Sequence, residues 1–89
     1  MKITGVLKEV MPVESGRSER GDWSRGGFVI ETLGEYHKFM AFSLMGERLS
    51  MIDGLVPGVA LDVTFSAESR KYNDRWYSEL KCLRVDVRK

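Results

Sequence analysis

Apolar residues recur at every second position along much of this chain, which is the period of a β-strand with one buried face. The pattern predicts five strands, which cover Lys2–Val13, Phe28–Thr32, Tyr36–Met45, a stretch through Leu61, Val63 and Phe65, and Trp76 to about Val87. The side chains that the alternation turns toward a common core are Phe28, Ile30, Thr32, Met40, Phe42, Leu44, Leu61, Val63, Phe65, Leu80 and Cys82.

The alternation stops between the predicted strands. Ser15–Gly27 is rich in glycine and polar residues, and Arg70–Arg75 is polar throughout, so both are predicted to be loops. A turn at Leu33–Glu35 joins the second and third strands into a hairpin. Leu49 and Ile52 lie three residues apart, and this spacing predicts a short helix before the fourth strand.

Three strands, a short helix and two further strands are the serial order of an OB-fold, a five-stranded Greek-key barrel. We therefore predict an all-β chain with a single OB-fold domain over residues 1–89 and a short helix between strands three and four. The alternatives are another small barrel of the SH3 kind and a fragment of a β-sandwich. The chain has too few strands for a sandwich, and the position of the helix favours the OB-fold.

Net charge and targeting signals bear on which ligands the protein binds and in which compartment it is found. The chain carries 14 basic and 13 acidic residues, a net charge of +1, whereas dedicated nucleic-acid binders are usually more basic. It has neither an apolar stretch long enough for a membrane helix nor the apolar run of a signal peptide. Its single cysteine, Cys82, cannot form an internal disulfide. We expect a cytoplasmic protein without a membrane partner.

The residue types give little support to catalysis. His37 is the only histidine, and one histidine with one cysteine cannot complete a zinc site. The phosphate-binding pattern Gly-x-x-x-x-Gly-Lys is absent, and no two carboxylates form a recognisable acid–base pair. We expect no enzymatic activity, no catalytic residues, no metal and no cofactor.

Basic and aromatic residues cluster in the two predicted loops. Proteins that bind single strands combine aromatic faces, on which bases stack, with cations that contact phosphates. In an OB-fold these two loops border one binding face, so we expect the clusters to converge, with two residues of the third strand completing the face. The predicted nucleic-acid-binding residues are Arg17, Arg20, Trp23, Arg25, Lys38, Phe39, Arg70, Lys71, Tyr72, Arg75, Trp76 and Tyr77.

In the last third of the chain, Val56-Pro57-Gly58 precedes the fourth strand and Arg75-Trp76-Tyr77-Ser78-Glu79-Leu80 opens the fifth. These motifs, with the Phe-x-Ile-x-Thr pattern of the second strand, resemble the bacterial single-stranded DNA-binding protein family. The resemblance implies an OB-fold that binds single-stranded DNA and assembles as a dimer or tetramer. The chain ends at Val87-Arg88-Lys89 instead of that family's acidic tail, so we expect no partner recruitment through such a tail.

An Ile-x-Gly first strand at Ile3, the motif Gly21-Asp22-Trp23 and the strand Phe28–Thr32 follow one another in order. With them, nearly the whole chain resembles a family of short, uncharacterised bacterial OB-fold proteins. That resemblance implies a fold more than an activity.

These features predict sequence-tolerant binding of single-stranded nucleic acid, with DNA favoured over RNA, by a homo-oligomer. The rival hypothesis is an OB-fold interaction or self-assembly module, in which exposed Phe39, Met45, Met51 and Tyr77 contact another protein. An oligosaccharide-binding OB-fold would share the aromatic residues but has no use for the basic residues around them.

Overall fold

Five strands and one 3₁₀ helix form a closed barrel in the computed structural model, which describes residues 1–32, 34 and 37–88. The elements are β1 (Lys2–Ser18), β2 (Gly21–Thr32), β3 (Phe39–Met45), the 3₁₀ helix (Gly46–Ile52), β4 (Ala60–Tyr72) and β5 (Arg75–Val87). The strand order around the barrel is β1-β2-β3-β5-β4, the Greek key of an OB-fold. The predicted fold and the place of its helix are confirmed. No helix among the described residues is long and apolar enough to cross a membrane.

Strand β1 closes the barrel because it pairs on both of its edges. It runs antiparallel to β2 along most of its length and to β4 from Lys2 to Val6. On the other side of the barrel, β3 and β5 run parallel and meet at the Ser43–Lys81 bridge. The paired strands β1–β2 and β4–β5 both continue past the region of closure, and the molecule is elongated, with extents of 43 × 32 × 19 Å.

The core contains the side chains that the alternation assigned to it. The ring of Phe42 packs between Phe28 and Phe65, with ring centroids 5.3 and 5.1 Å apart. Such tilted and edge-on contacts suit the charge distribution of aromatic rings. The other buried apolar residues are Leu7, Ile30, Leu44, Ile52, Leu61, Val63 and Cys82, with Met40 and Leu80 half-buried against them.

The prediction of a loop over Ser15–Gly27 is wrong. Strand β1 continues to Ser18 and β2 begins at Gly21, so a two-stranded ribbon, here called the first arm (residues 14–25), leads to a tight turn. A register shift between Met11 and Glu14 separates the arm from the barrel. Pro12 lies in this irregular stretch, where a residue without an N–H is tolerated.

The predicted loop over Arg70–Arg75 is also wrong, because only its two central residues turn the chain. Asn73 and Asp74 have φ angles of 49° and 63°, the left-handed values of a type I′ hairpin turn. The flanking strands form the second arm, residues 66–81, in unbroken register from the Ser66–Lys81 pair to the turn.

One physical reason explains why the first arm and the tip of the second arm resemble loops in sequence. These parts project beyond the barrel, so neither face of the ribbon is buried and the sequence needs no alternation of apolar and polar residues. The predicted turn and strand start at Leu33, Glu35 and Tyr36 lie outside the described residues.

β2 and β3 approach closely at Gly27, and we predict that this glycine is required for stability. A Cβ at this position would overlap the backbone oxygen of Phe42 and lie 2.6 Å from Cε of Met11. Overpacking of this kind costs about 1–3 kcal/mol, so Gly27→Ala should lower the free energy of unfolding, measured by urea denaturation, by that amount.

Gly26→Ala is the matched control. A Cβ at Gly26 would meet Cδ2 of Leu49 at 2.9 Å, the end of a side chain that can rotate away. We expect a smaller loss of stability from this variant. Equal losses from the two substitutions would contradict the argument.

Candidate nucleic-acid interface

A groove of about 410 Å³ crosses the outer surface of the barrel from β2, over the end of β3, to the second arm. We call it the outer groove. Its lining consists of Arg25, Ser43, Met45, Arg70, Tyr77, Ser78, Glu79 and Lys81. Strand alternation positions these side chains: Phe42 and Leu44 are buried in the core, so Ser43 and Met45 on the same strand face outward.

Cross-strand pairing decides which face of the second arm each residue occupies. Phe65 and Cys82 form a pair that points into the core. Because faces alternate along a regular ladder, the pair Arg70–Tyr77 lies on the outer face and continues the groove. By the same count, Lys71 and Trp76 lie on the opposite face of the arm.

Two cations of the outer groove form close ion pairs with carboxylates. The Nε and Nη2 atoms of Arg25 donate to Oε2 of Glu14 at 3.2 and 3.1 Å. The Nζ atom of Lys81 lies 2.6 Å from Oε1 of Glu68. This hydrogen bond and the lysine charge lower the pKa of the Glu68 carboxyl.

Arg70 is held more loosely. Its Nη2 atom lies 3.6 Å from Glu68 and 3.8 Å from Glu79, both beyond hydrogen-bond distance. Glu79 in turn accepts a hydrogen bond of 2.9 Å from the Oγ atom of Ser43. The groove is therefore close to electrically balanced. Exposed ion pairs of this kind contribute little to stability, so incoming phosphates can replace the carboxylates.

The first arm carries a second hollow, lined by Arg17 and Trp23 among others. Trp23 pairs with Gly16, and its ring lies across that residue, because a Cβ on Gly16 would be 2.5 Å from Cζ2 of the indole. The glycine gives the indole a flat support while 40% of the tryptophan stays exposed. Arg17 forms an exposed 3.0 Å ion pair with Asp22, and Arg20 lies in the turn.

The residues predicted at the tip of the second arm divide between its two faces. Tyr72 and Arg75 pair with each other on the outer face, next to the turn and beyond the lining of the groove. Lys71 and Trp76 form the adjacent pair on the opposite face. Although Trp76 has core-facing alternation, it lies past the end of the barrel and is 69% exposed.

Lys38 and Phe39 lie at the start of β3, away from the outer groove. Phe39 shares the outward face with Ser43, but four residues of strand separate them by roughly 13 Å. The backbone of Lys38 pairs with Thr32, whose N–H donates to the Lys38 carbonyl at 2.8 Å. Neither Lys38 nor Phe39 lines the groove.

The structure thus brings together part of the predicted set. Arg25 from the first cluster shares a groove with Arg70 and Tyr77 from the second. Our sequence prediction missed the groove residues Ser43, Glu79 and Lys81. Their signal was present in the alternation, because each lies next to a core-facing residue and must point outward.

Neither the cysteine nor the histidine of the chain lines the outer groove. Cys82 is buried, and burial raises the pKa of its thiol. The Nδ1 atom of His37 lies 3.3 Å from Glu31, away from the groove. Within residues 1–32, 34 and 37–88, no three or more His, Cys, Asp or Glu side chains are grouped so that they could hold a metal ion.

Solved structures of two proteins share this fold. The mitochondrial single-stranded DNA-binding protein Rim1 of S. cerevisiae superposes with a TM-score of 0.73 at 11% identity, over 98% of this chain and 91% of that one. The small single-stranded DNA-binding protein of Streptomyces coelicolor gives 0.59 at 9% identity, over 99% and 90%. At such identities the likeness shows the fold alone, and it confirms the OB-fold that the resemblance implied.

A comparison with curated proteins found no similar sequence. Residues 2–86, almost the whole chain, match the sequence profile of a domain of unknown function, DUF3127. The chain belongs to the DUF3127 family.

Proposed function

We propose that this protein binds single-stranded nucleic acid, DNA in preference to RNA, along the outer groove, without sequence preference and without catalysis. The observation that carries the proposal is the gathering of Arg25, Arg70 and Lys81 around Tyr77 in one open groove. This face of an OB-fold, between its two long hairpins, is the one that binds oligonucleotides. The two similar structures are named as single-stranded DNA-binding proteins, which also supports the proposal.

The groove supplies both components that a single strand needs. Tyr77 is 51% exposed and offers its ring to a base, a contact worth about 1–3 kcal/mol. The three cations can contact phosphates, and neutralising three phosphates gives a slope of log affinity against log salt of roughly −2. Since each cation must first leave a carboxylate, we expect affinity in the micromolar range.

The path of the strand can continue from the groove onto the first arm. Trp23 and Arg25 are two residues apart on β2 and therefore share one face of that strand. A strand that passes Tyr77 and Arg25 would reach the indole of Trp23 next. The proposed path thus has an aromatic side chain near each end and Arg25 between them.

The alternative is an interaction module that contacts another protein. It is favoured by the charge balance of the groove and by the exposure of Phe39 and Met45 on the outer surface. Met51, which the sequence reading also placed in this surface, instead packs against the core. For either role we propose a cytoplasmic location, because a lone buried Cys82 suits a reducing compartment.

Tyr77→Ala should weaken binding of a labelled oligothymidylate, measured by fluorescence anisotropy in low salt. Loss of one stacking contact corresponds to a dissociation constant about 5- to 150-fold higher. Trp76→Ala is the matched control, because Trp76 is the adjacent aromatic residue on the opposite face of the arm. This control should change the affinity less than about twofold. Equal losses from both variants would contradict the path, and no binding by the wild type would favour the interaction module.

Glu79→Gln should strengthen binding of the same oligonucleotide. The substitution frees Arg70 from a carboxylate but keeps an oxygen that can accept the hydrogen bond from Ser43. We expect a dissociation constant about two- to fivefold lower and a steeper salt dependence. Asp53→Asn makes the same change of charge at an exposed site after the 3₁₀ helix, outside the groove. If Asp53→Asn strengthens binding as much as Glu79→Gln, the effect reflects net charge and not the groove.

A further inference from the structure

One edge of the second arm has no partner among the described residues. β4 pairs with β1 only between Ala60 and Thr64, and Phe65 is bonded to the backbone and amino group of Met1. From Ser66 to Tyr72, no residue that the structure describes pairs with the side of β4 that faces away from β5. An exposed strand edge of this length is a template for pairing with another strand.

The turn at the tip of the second arm determines which residues of β4 point their backbone N–H and C=O groups away from β5. A two-residue turn is closed by hydrogen bonds between the residues that flank it, here Tyr72 and Arg75. The register of the arm is unbroken, so the direction of the N–H and C=O groups alternates from there. Lys71, Ser69 and Ala67 therefore point both backbone groups outward.

The charges along the edge favour one way of pairing with a second copy. In an antiparallel pair centred on Ser69, Glu68 of each chain lies opposite Arg70 of the other. Centring the pair on Glu68 or on Arg70 instead would place like charges directly opposite each other, which is destabilising. Arg70 can take a new partner, because its contacts within the chain are 3.6 and 3.8 Å long and its side chain is mostly exposed. Glu68 contacts Lys81 through Oε1 at 2.6 Å, so its other carboxylate oxygen would contact Arg70 of the second copy.

We infer that the protein self-associates through the outer edge of β4, as a two-fold dimer centred on Ser69. Ala67, Ser69 and Lys71 of each chain donate and accept backbone hydrogen bonds across the axis, and the two Glu68–Arg70 pairs set the register. The two second arms then form one four-stranded sheet. Tyr72, Arg75 and Tyr77 of both chains lie on the same face of that sheet.

The free edge of β5 fits a second copy less well. It borders the outer groove, and the Leu80 carbonyl there already accepts a hydrogen bond from Ser43. A two-fold pair centred on Ser78 would place Tyr77 opposite Glu79, with no charge match. Of the residues that line the groove, pairing through β4 engages only Arg70, and the inference does not depend on nucleic-acid binding.

A charge-exchange experiment tests the dimer without any oligonucleotide. The wild type should show a concentration-dependent dimer in sedimentation equilibrium. Glu68→Arg and Arg70→Glu each place like charges opposite across the axis, so each variant alone should be monomeric, with an unchanged circular dichroism spectrum. An equal mixture of the two variants restores both opposite-charge pairs and should dimerise again. A wild type that stays monomeric up to its solubility limit, or a mixture that stays monomeric, would overturn the inference.

A cross-linking experiment tests the register. In a hydrogen-bonded antiparallel pair the two Cα atoms of residue 69 lie about 5.5 Å apart, which a disulfide can span. Under mild oxidation Ser69→Cys should give a covalent dimer. Ser78→Cys, one strand further from the axis on the same face of the arm, should not, because roughly 14 Å separates the two copies of that position. The native Cys82 is buried and should not react. Equal rates for the two variants would exclude this register.

Discussion

The structure depends on one apolar core to which every strand contributes alternate side chains. Phe42 contacts Phe28 and Phe65 and so connects β2, β3 and β4 inside the barrel. The close approach of β2 to β3 at Gly27 brings these strands together. Since inward and outward positions alternate strictly, fixing Phe42 in the core also fixes Ser43 and Met45 on the surface. These outward-facing side chains line the outer groove.

The strands are longer than the barrel, and this excess length gives the molecule its two arms. Beyond the end of the barrel, both faces of a β-ribbon contact solvent, so aromatic and charged residues on either face are exposed. In the arms, contacts with the cross-strand partner position a side chain. Trp23, for example, packs against its partner Gly16. The arms also create unpaired strand edges. Proteins commonly protect such edges with charges, and the edge of β4 carries charges of both signs, which allows pairing with a copy of itself.

Much of the fold could be predicted from the sequence, because burial on one face imposes a period of two on the residues that form the core. Phe28, Ile30, Leu61 and Val63 were assigned to the core from that period alone, and all are fully buried. The short helix was likewise signalled by the break in the alternation. The first arm and the tip of the second arm could not be predicted in this way. A ribbon that is exposed to solvent on both faces has no such period, and its glycines and polar residues resemble a loop.

The sequence by itself determined the serial order of the strands and the helix, most of the core, and the presence of two clusters rich in arginine and aromatic residues. Only the tertiary structure decided which members of those clusters meet. It brought Arg25 beside Arg70 and Tyr77 and turned Trp76 to the opposite face of the arm. It also placed carboxylates beside the cations of the groove. The physical reason is that strand register and barrel closure, which are set by contacts between residues distant in the chain, decide which outward side chains become neighbours.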